Sequence, residues 1–422
     1  MLIEFSVANF RSFKEKQTFS LVAAHPEGGM GHSYPTGFTA APAIRLAASI
    51  HGANASGKSN LLKAMAFCDR FIRNSSKETQ KGEKIEGISP FLFSEEFQSR
   101  PSEFEIVFLL ENYLYQYGFV VDSDRVHEEW LYATPNSGAR QKTQKWFVRK
   151  NSEIIINPIL KGEKAKWIAS TRENALFLST AVQLNSEILA KPFEWVQKRF
   201  HVLGTLDHFS NRFTAEALRR SKSSYICKDS ILKLIGSFDT GISDITVTEK
   251  DFDASDIPSE MPEALRAVII ENSKGKKNYD LHGIHNMDNG KDTYALDFYE
   301  ESDGTKLLFA LAGPLLDILE NGYTLVVDEL HNSLHPLALE HIVKLFQNKE
   351  INRKNAQLIF TGHDTSVMGI LPPDQVWLVE RMRSGESILS SLSDFHIRKG
   401  EAVEKRYLSG RYKGVPLIRN YE

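Results

Sequence analysis

Cysteine is almost missing from this chain: Cys68 and Cys227 are the only two in 422 residues, far apart and outside any C-x-x-C spacing. That argues against a disulfide framework and a cysteine zinc site, and the chain reads as a protein of a reducing compartment, the cytoplasm. Long apolar runs are missing too. None approaches the roughly 18 residues of a membrane span, and Met1-Leu2-Ile3-Glu4-Phe5-Ser6-Val7 lacks the basic and apolar regions of a leader. The expectation is a soluble protein with no membrane partner. An excess of one charge is also absent: 51 Lys and Arg against 54 Asp and Glu leave a net charge of −3, so overall charge argues neither for nor against nucleic acid. There is no internal repeat and no sustained heptad of the kind that builds a long coiled-coil arm. What remains, 41% hydrophobic and 25% charged residues, is a globular composition with length for one large or two unequal domains.

Against that plain background one stretch stands out. Gly52-Ala53-Asn54-Ala55-Ser56-Gly57-Lys58-Ser59 fits G-x-x-x-x-G-K-[ST], the P-loop pattern. The pattern has a physical basis. Backbone N–H groups must wrap a phosphate, which requires residues without an obstructing Cβ at the close approaches, and a helix must begin there with its positive end toward the anion. Lys58 would reach the β- and γ-phosphates of ATP and Ser59 would offer its hydroxyl to Mg²⁺, with residues 52–60, Asn60 included, forming the cradle. Residues 45–50 before it read as a buried strand and 61–67 after it as a helix.

Upstream, Leu2-Ile3-Glu4-Phe5-Ser6-Val7 alternates as a strand, and residues 17–22 make a second one after Asn9-Phe10-Arg11-Ser12-Phe13-Lys14. Residues 26–42, rich in Gly, Pro, Ser and Thr, read as an exposed loop close to the nucleotide base or ribose. After the P-loop helix, strands at 103–110, 113–121, 128–133, 145–150 and 153–156 form an antiparallel meander. The pattern then turns helical over 173–220, with a further helix at 229–238, a strand at 242–248 and strands at 267–270 and 293–298 flanking a turn at 272–278.

A second half of a nucleotide site follows. Thr324-Leu325-Val326-Val327-Asp328-Glu329 is an apolar strand ending in two acids, the form of a Walker B motif: Asp328 would hold Mg²⁺ through its water shell and Glu329 could polarise the attacking water. Ser302, Asp303 and Gly304, at the start of an apolar helix over 307–319, could present donors to a phosphate or serve as a plain N-cap. Gln357-Leu358-Ile359-Phe360-Thr361-Gly362-His363-Asp364 is another buried strand, and His363 at its end can hydrogen-bond a γ-phosphate. The pairs His282/His285 and His331/His335 have ligand-like spacing without acidic or cysteine partners at matching intervals. The basic aromatic stretch 140–150 and Arg219, Arg220 and Lys222 could meet phosphate backbones or be solvated faces.

Together these segments resemble the ABC/SMC-type ATPase heads of the RecF and OLD relatives, and most of all the bacterial abortive-infection ATPases of the RloA/AbiLii group. The likeness covers residues 1–72 and 295–420: Asn9-Phe10-Arg11-Ser12-Phe13, the P-loop, a signature at Glu301-Ser302-Asp303-Gly304-Thr305, Asp328-Glu329, Ser333-Leu334-His335-Pro336 as a D-loop, and His363 as the switch histidine. The tail Arg406-Tyr407-Leu408-Ser409-Gly410-Arg411-Tyr412 is similar as well. The signature reads Ser-Asp-Gly-Thr where transporters have Leu-Ser-Gly-Gly, and Gln98 is a weak match to a Q-loop glutamine.

The resemblance implies an α/β, ABC/SMC-like head with an antiparallel β meander and an inserted helical lobe: residues 1–170 and 241–422 as the two parts of the head, 171–240 as the lobe. It implies Mg²⁺-dependent ATP hydrolysis, with Glu329 and His363 catalytic. It also implies a homodimer or higher homo-oligomer whose heads sandwich ATP, Ser302-Asp303-Gly304 of one facing Lys58 and Asp328 of the other. Such proteins serve as sensors in anti-phage defence beside a separate effector, a nuclease or toxin. A fused nuclease needs an acidic cluster beyond His363, and Asp374, Glu380, Glu386 and Asp394 lack its spacing. The alternative is a RecF-like, ATP-gated DNA-binding repair protein, with DNA or RNA as partner; transport is the weakest reading.

Overall fold

A computed structural model describes residues 1–24, 33–138, 141–205, 211–220, 226–251, 263, 277–288, 290–397 and 401–416. The chain forms two compact units, Met1–Leu206 with Asn321–Asn332 and Pro336–Glu422, and Asp207–Glu320 with Ser333–His335.

The first unit is built on two sheets. One has six strands in the order Phe200–Thr205, Thr324–Asp328, Gln357–Thr361, Ala47–His51, Val376–Arg381, Ser387–Ser391. The first five run parallel, and the last returns antiparallel as a hairpin. Ala47–His51 and Gln357–Thr361 are buried at every position, as expected of strands covered on both faces, and this is why they read as unbroken apolar runs. A parallel sheet of this kind takes ligands beyond the carboxyl ends of its strands. His51, Asp328, Thr361 and Arg381 are the residues at those ends.

The other sheet is an antiparallel meander in the order Glu153–Ile156, Gln144–Lys150, Val126–Pro135, Tyr113–Val121, Ser102–Leu110, Leu2–Ala8, Gln17–Ser20. Ser102–Leu110 alternates buried and half-buried positions for most of its length, the period-2 pattern of a sheet with one face on a core. The helix Lys58–Asn74 supplies much of that core, burying Leu61, Met65, Phe67, Phe71 and Ile72. Phe67 and Phe71 meet Phe104 and Phe119 of the meander at ring separations of 4.9 and 5.5 Å. Glu129 is fully buried in this sheet, where its carboxylate accepts from the backbone N–H groups of Phe177 (2.6 Å) and Leu178 (2.9 Å) and from the Tyr117 hydroxyl. A carboxylate at the start of the helix Phe177–Gln183 satisfies orphan donors and complements the helix dipole.

Two sequence expectations need correcting. The helical run read over 173–220 is interrupted by the strand Phe200–Thr205, which lies beside Thr324–Asp328 with His201 opposite Leu325. Because that strand belongs to the parallel sheet, the helices Phe177–Gln183 and Glu187–Arg199 sit in the first unit, and the division of contacts falls at 206/207 and 320/321. Within the loop read at 26–42, Ser33–Phe38 pairs with Ala41–Arg45 as a hairpin. Residues 26–32, the strand read at 267–270 and most of the turn read at 272–278 lie outside the described residues.

The second unit carries a three-stranded antiparallel sheet, Ile242–Asp251, Lys277–Asn286 and Thr293–Asp297, with the helices Asn211–Leu218, Lys228–Gly236 and Asp303–Asn321. The long helix contains Pro314, which lacks the N–H that Ala310 O would otherwise receive. Thr214 fills the gap: its hydroxyl donates to Ala310 O (3.4 Å) and accepts from Gly313 N–H (3.1 Å). Among the described residues no helix is long and apolar enough to cross a membrane.

His51 ends the central strand with 1% of its surface exposed, its ring edge-on to Tyr407 at 6.4 Å. Burial, helped by the Lys58 charge, lowers its pKa to about 3. Unfolded, the same ring titrates near pH 6.5. Below pH 6.5 the unfolded chain therefore binds a proton that the folded chain refuses until about pH 3, and stability falls with falling pH through that window by about 1 kcal/mol per unit. Urea titrations of wild type and His51→Leu at pH 7.5 and 5 should show the wild type losing more midpoint than the variant; equal losses would place the acid sensitivity elsewhere.

Candidate functional site

The walls of one cleft, about 750 Å³ in volume, are formed by residues 54–60, Arg11, Ser12, Ser89, Pro90, Leu92, Phe93, Glu329, His363, Arg381 and Gly385, all of the first unit. That volume lies in the range of small-molecule sites. Three of its residues, Arg11, Ala55 and Glu329, hold positive φ (52°, 59° and 54°) without being glycine. Such strain persists only where surrounding contacts over-determine it, and it gathers at functional sites.

The loop at Gly52–Lys58 is gripped from behind. A Cβ on Gly52 would come within 2.4 Å of the Val379 carbonyl oxygen. Gly57 holds φ 115°, and a Cβ there would meet Ser387 Oγ and Ser12 Oγ. The Ser387 hydroxyl in turn donates to Ser56 O (2.5 Å), and Asn60 Nδ2 donates to Ser12 Oγ (2.8 Å). The helix that starts at Lys58 has no side-chain cap and no acid in its first turn. Lys58 is 6% exposed and donates to Gly52 O (2.8 Å) and Ala53 O (3.1 Å), so these two residues hold the lysine from behind while residues 54–60 line the cleft. Burial lowers the Lys58 pKa, with Asp328 and Glu329 opposing. An uncapped helix start beside a buried ammonium fits a polyphosphate.

The acidic side is tied together by one hydroxyl. Thr361 Oγ1 donates to Asp328 Oδ1 (2.5 Å) and accepts from the Glu329 N–H (2.8 Å), so the two neighbouring acids are fixed by the adjacent strand. Asn332 Nδ2 donates to Glu329 Oε2 (2.7 Å), leaving the other carboxylate oxygen for a further partner. Ser59 and Asp328 are oxygen donors of the kind a hard divalent cation takes. His363 is exposed at the cleft, and its pKa and that of His331, whose ring lies 5.6 Å away, are lowered chiefly by desolvation. Both imidazoles are neutral at pH 7 and can donate or accept one hydrogen bond each.

Thr361 and Asn332 were missed by sequence reasoning. A threonine ending an apolar strand and an asparagine in a turn give no signal until the strands are paired. Asn9, noted only within the Asn9-Phe10-Arg11-Ser12-Phe13 stretch, was given no role for the same reason. It is 3% exposed with φ 48°; its Nδ2 donates to Phe97 O (2.9 Å) and Arg100 O (2.8 Å), and its Oδ1 accepts from Phe91 N–H (3.0 Å). Arg11 N–H donates to Ser89 O (2.7 Å). The Asn9-Phe10-Arg11 stretch thus anchors the cleft wall over 89–100. Gln98 is not in the cleft; its Nε2 donates to Leu92 O (2.8 Å) and supports that same wall.

Ser302, Asp303 and Gly304 belong to the second unit. There Ser302 Oγ accepts from Thr305 N–H (3.1 Å), the geometry of an N-cap, and a Cβ on Gly304 would lie 3.2 Å from Ser333 O. His285 Nε2 pairs with Glu301 (2.7 Å). His282 gains the carboxylates that linear spacing did not show, since cross-strand pairing sets it opposite Asp297, and Asp280, His282 and Asp297 offer ligand atoms within 4.8 Å of one another. The basic aromatic stretch does not present a uniform outer face. Trp146 and Phe147 are buried, and Arg149, 3% exposed, donates to Ala175 O (2.7 Å). Arg219 pairs with Glu249. Of the four acids beyond His363, Asp374 pairs with Arg45 (2.9 Å), Glu380 with Lys413 (3.5 Å), Glu386 accepts from the Ser384 hydroxyl (3.1 Å) and Asp394 from Ser391 N–H.

A parallel sheet with a P-loop and two acids at its carboxyl ends is the arrangement of a P-loop nucleotide-binding domain. The chain belongs to the family described as "AAA domain, putative AbiEii toxin, Type IV TA system", whose model matches residues 48–149 and 186–369, more than half of the sequence. No curated protein matches. Among solved structures it is similar to CbiO1 from Clostridium perfringens, described as part of the ABC transporter complex CbiONQ, at 11% identity over 93% of this chain and 90% of that one, with a TM-score of 0.27.

Asn9→Ala should destabilise the protein by about 3 kcal/mol, because three backbone groups, two of them buried, lose their partner at once and the left-handed backbone loses a residue that tolerates it. Chemical denaturation measures this, and a loss under 1 kcal/mol would mean that the wall is held by other contacts.

Proposed function

We propose that the chain binds and hydrolyses Mg²⁺-ATP in this cleft. The observation that carries the reading is that Lys58 and Ser59 share one cleft with Glu329 and His363, residues some 270 and 300 positions further along the chain. Gly52 and residues 53–60 would cradle the phosphates, with Lys58 on the β- and γ-phosphates. Mg²⁺, held by Ser59 and through water by Asp328, would supply charge neutralisation on the phosphate oxygens. Glu329, oriented by Asn332 and Thr361, would take a proton from water, and neutral His363 would hydrogen-bond the γ-phosphate.

The expected phenotypes separate binding from chemistry. Lys58→Ala should lose tight ATP binding, the cleft being left without the loop's cation. Glu329→Gln should keep ATP and slow its hydrolysis by about 10²- to 10⁴-fold, the scale of a general base. Calorimetry and phosphate release measure the two; unchanged affinity in a folded Lys58→Ala protein, or wild-type turnover in Glu329→Gln, would refute the respective role.

The biological reading is a cytoplasmic sensor or regulatory component of a bacterial abortive-infection system working with a separate effector. Its abortive-infection part is supported by the family's description, which names a putative AbiEii toxin of a type IV system; the sensor role beside a separate effector rests on the resemblance of the motifs alone. The RecF-like alternative gains nothing from Arg149 and Trp146, which are buried. A neighbouring effector gene whose toxicity depends on Lys58 would support the first reading; selective binding to gapped DNA would replace it with the second.

The helix start at Ser302-Asp303-Gly304 carries the proposal of an ATP-sandwiched dimer, in which it completes a partner's site. In that arrangement Glu329→Gln should dimerise on adding ATP, while Glu329→Gln/Ser302→Arg should bind ATP and remain monomeric, as read by light scattering. Equal dimerisation of both would remove the signature from the interface.

A further inference from the structure

The chemistry of the cleft changes from one group of walls to another. Residues 54–60, Glu329 and His363 are polar or charged for the most part, whereas Pro90, Leu92 and Phe93 bring apolar and aromatic surface, with Arg381 and Gly385 beside them. Phe93 is 67% exposed and Leu92 59%, so two large apolar side chains stand open in the wall of a polar site. Exposed apolar surface gathered in a cleft marks a binding face more often than a stray side chain does.

The exposure is not that of a loose loop. Phe91, 1% exposed, is fixed through its N–H to Asn9 Oδ1, and its ring meets Phe93 edge-on at 5.7 Å. Gln98 holds the Leu92 carbonyl. On the hairpin side the Arg381 guanidinium lies 5.7 Å from the centre of the Phe93 ring. Gly385, at φ 85°, lets that ring in so closely that a Cβ there would lie 2.8 Å from Phe93 Cδ2. The same hairpin is joined to the phosphate loop by the Ser387–Ser56 hydrogen bond and to Ser12 through Ser387 N–H (2.7 Å). A ring is thus presented on a rigid mount that shares its attachment with the P-loop, which is how binding groups are preorganised.

We propose that Phe93, flanked by Arg381, is the platform on which the base of the bound nucleotide stacks, and that the cleft is selective for purine nucleoside triphosphates. A planar base offers a π-face to the phenyl ring, and the Arg381 guanidinium over that ring adds a cationic group to the stack. The larger face of a purine covers more of the ring than a pyrimidine does. The inference rests on the nucleotide reading of the P-loop and adds to it the element that reads the base. Of the stretch 26–42 expected near the base, the described residues 33–42 do not line the cleft.

The test compares a ligand with a base to one without. Full-length wild type, Phe93→Ala and Phe93→Trp are titrated with Mg²⁺-ATP, Mg²⁺-CTP and inorganic tripolyphosphate. Phe93→Ala should weaken ATP at least about tenfold, in line with alanine substitution at base-stacking aromatics, while tripolyphosphate affinity stays within about twofold of wild type. Phe93→Trp should keep ATP affinity and show fluorescence quenching with ATP but not with tripolyphosphate. Wild type should prefer ATP to CTP. Unchanged ATP affinity in Phe93→Ala overturns the platform and leaves Phe93 to a protein partner. Equal weakening of ATP and tripolyphosphate overturns it as well, since the substitution would then have loosened the loop. Equal ATP and CTP affinity refutes purine selectivity. If wild type binds neither ATP nor tripolyphosphate, the P-loop reading itself fails and the platform falls with it; a P-loop that binds both with Phe93 indifferent sinks the platform alone.

Discussion

The structure is organised by the need to hold a short loop in a conformation that it would not keep alone. Gly52 and Gly57 sit where no Cβ fits, Ala55 between them is left-handed, and Lys58 is buried against the carbonyls of Gly52 and Ala53. A strained residue costs of the order of 1–3 kcal/mol, and within the loop only the burial of Lys58 is partly offset, by those two carbonyls. The compensation comes from outside: from Val379 beneath, from Ser387 and Ser12 alongside, and from the apolar face of the helix Lys58–Asn74 packed on both sheets. The two sheets of the first unit can be seen as the two jaws that make this loop rigid.

How much of this could be read from the residues depends on where the information is local. The strands Thr324–Asp328 and Gln357–Thr361 were legible from their first residues, though read on to 329 and 364, because a strand covered on both faces must be continuously apolar, and that signal lies along the chain. The meander was legible because its half-buried strands alternate. Phe200–Thr205 was not: it follows the helix Glu187–Arg199 without a turn residue, and only its pairing with Thr324–Asp328 makes it a strand. Lys277–Asn286 escaped in the same way, its histidines and asparagines giving no alternation until both neighbours are in place.

The same distinction runs through the cleft. Motif residues announced themselves because phosphate chemistry demands particular side chains at short spacing. The residues that orient them did not. Asn9 stitches 91, 97 and 100 to the turn after the first strand, Thr361 binds two acids 33 and 32 positions away, and Gln98, weighed as a phosphate-sensing glutamine, holds a carbonyl of the wall instead. Hydrogen-bond partners so distant in sequence leave no periodic trace, so the support of a site is harder to read than the site.

That support also constrains how the proposed chemistry can vary. Asp328 and Glu329 are neighbours with different tasks in the proposal, and both are bonded to the one hydroxyl of Thr361, two residues before His363. A shift of the strand Gln357–Thr361 against Thr324–Asp328 would move the metal-side acid, the proposed base and the histidine together rather than one at a time. Glu329, at φ 54°, cannot relax into the strand without breaking its N–H bond to Thr361 and its carboxylate bond to Asn332. The acidic side of the cleft therefore responds as a unit to whatever moves that strand. The phosphate loop is linked to the same strand through Ala47–His51, since Ser49 pairs with Phe360 and Gly362 N–H donates to Ile50 O. The strand Gln357–Thr361, paired on both sides, thus links the loop to the two acids, so that a change in the geometry of either is felt by the other.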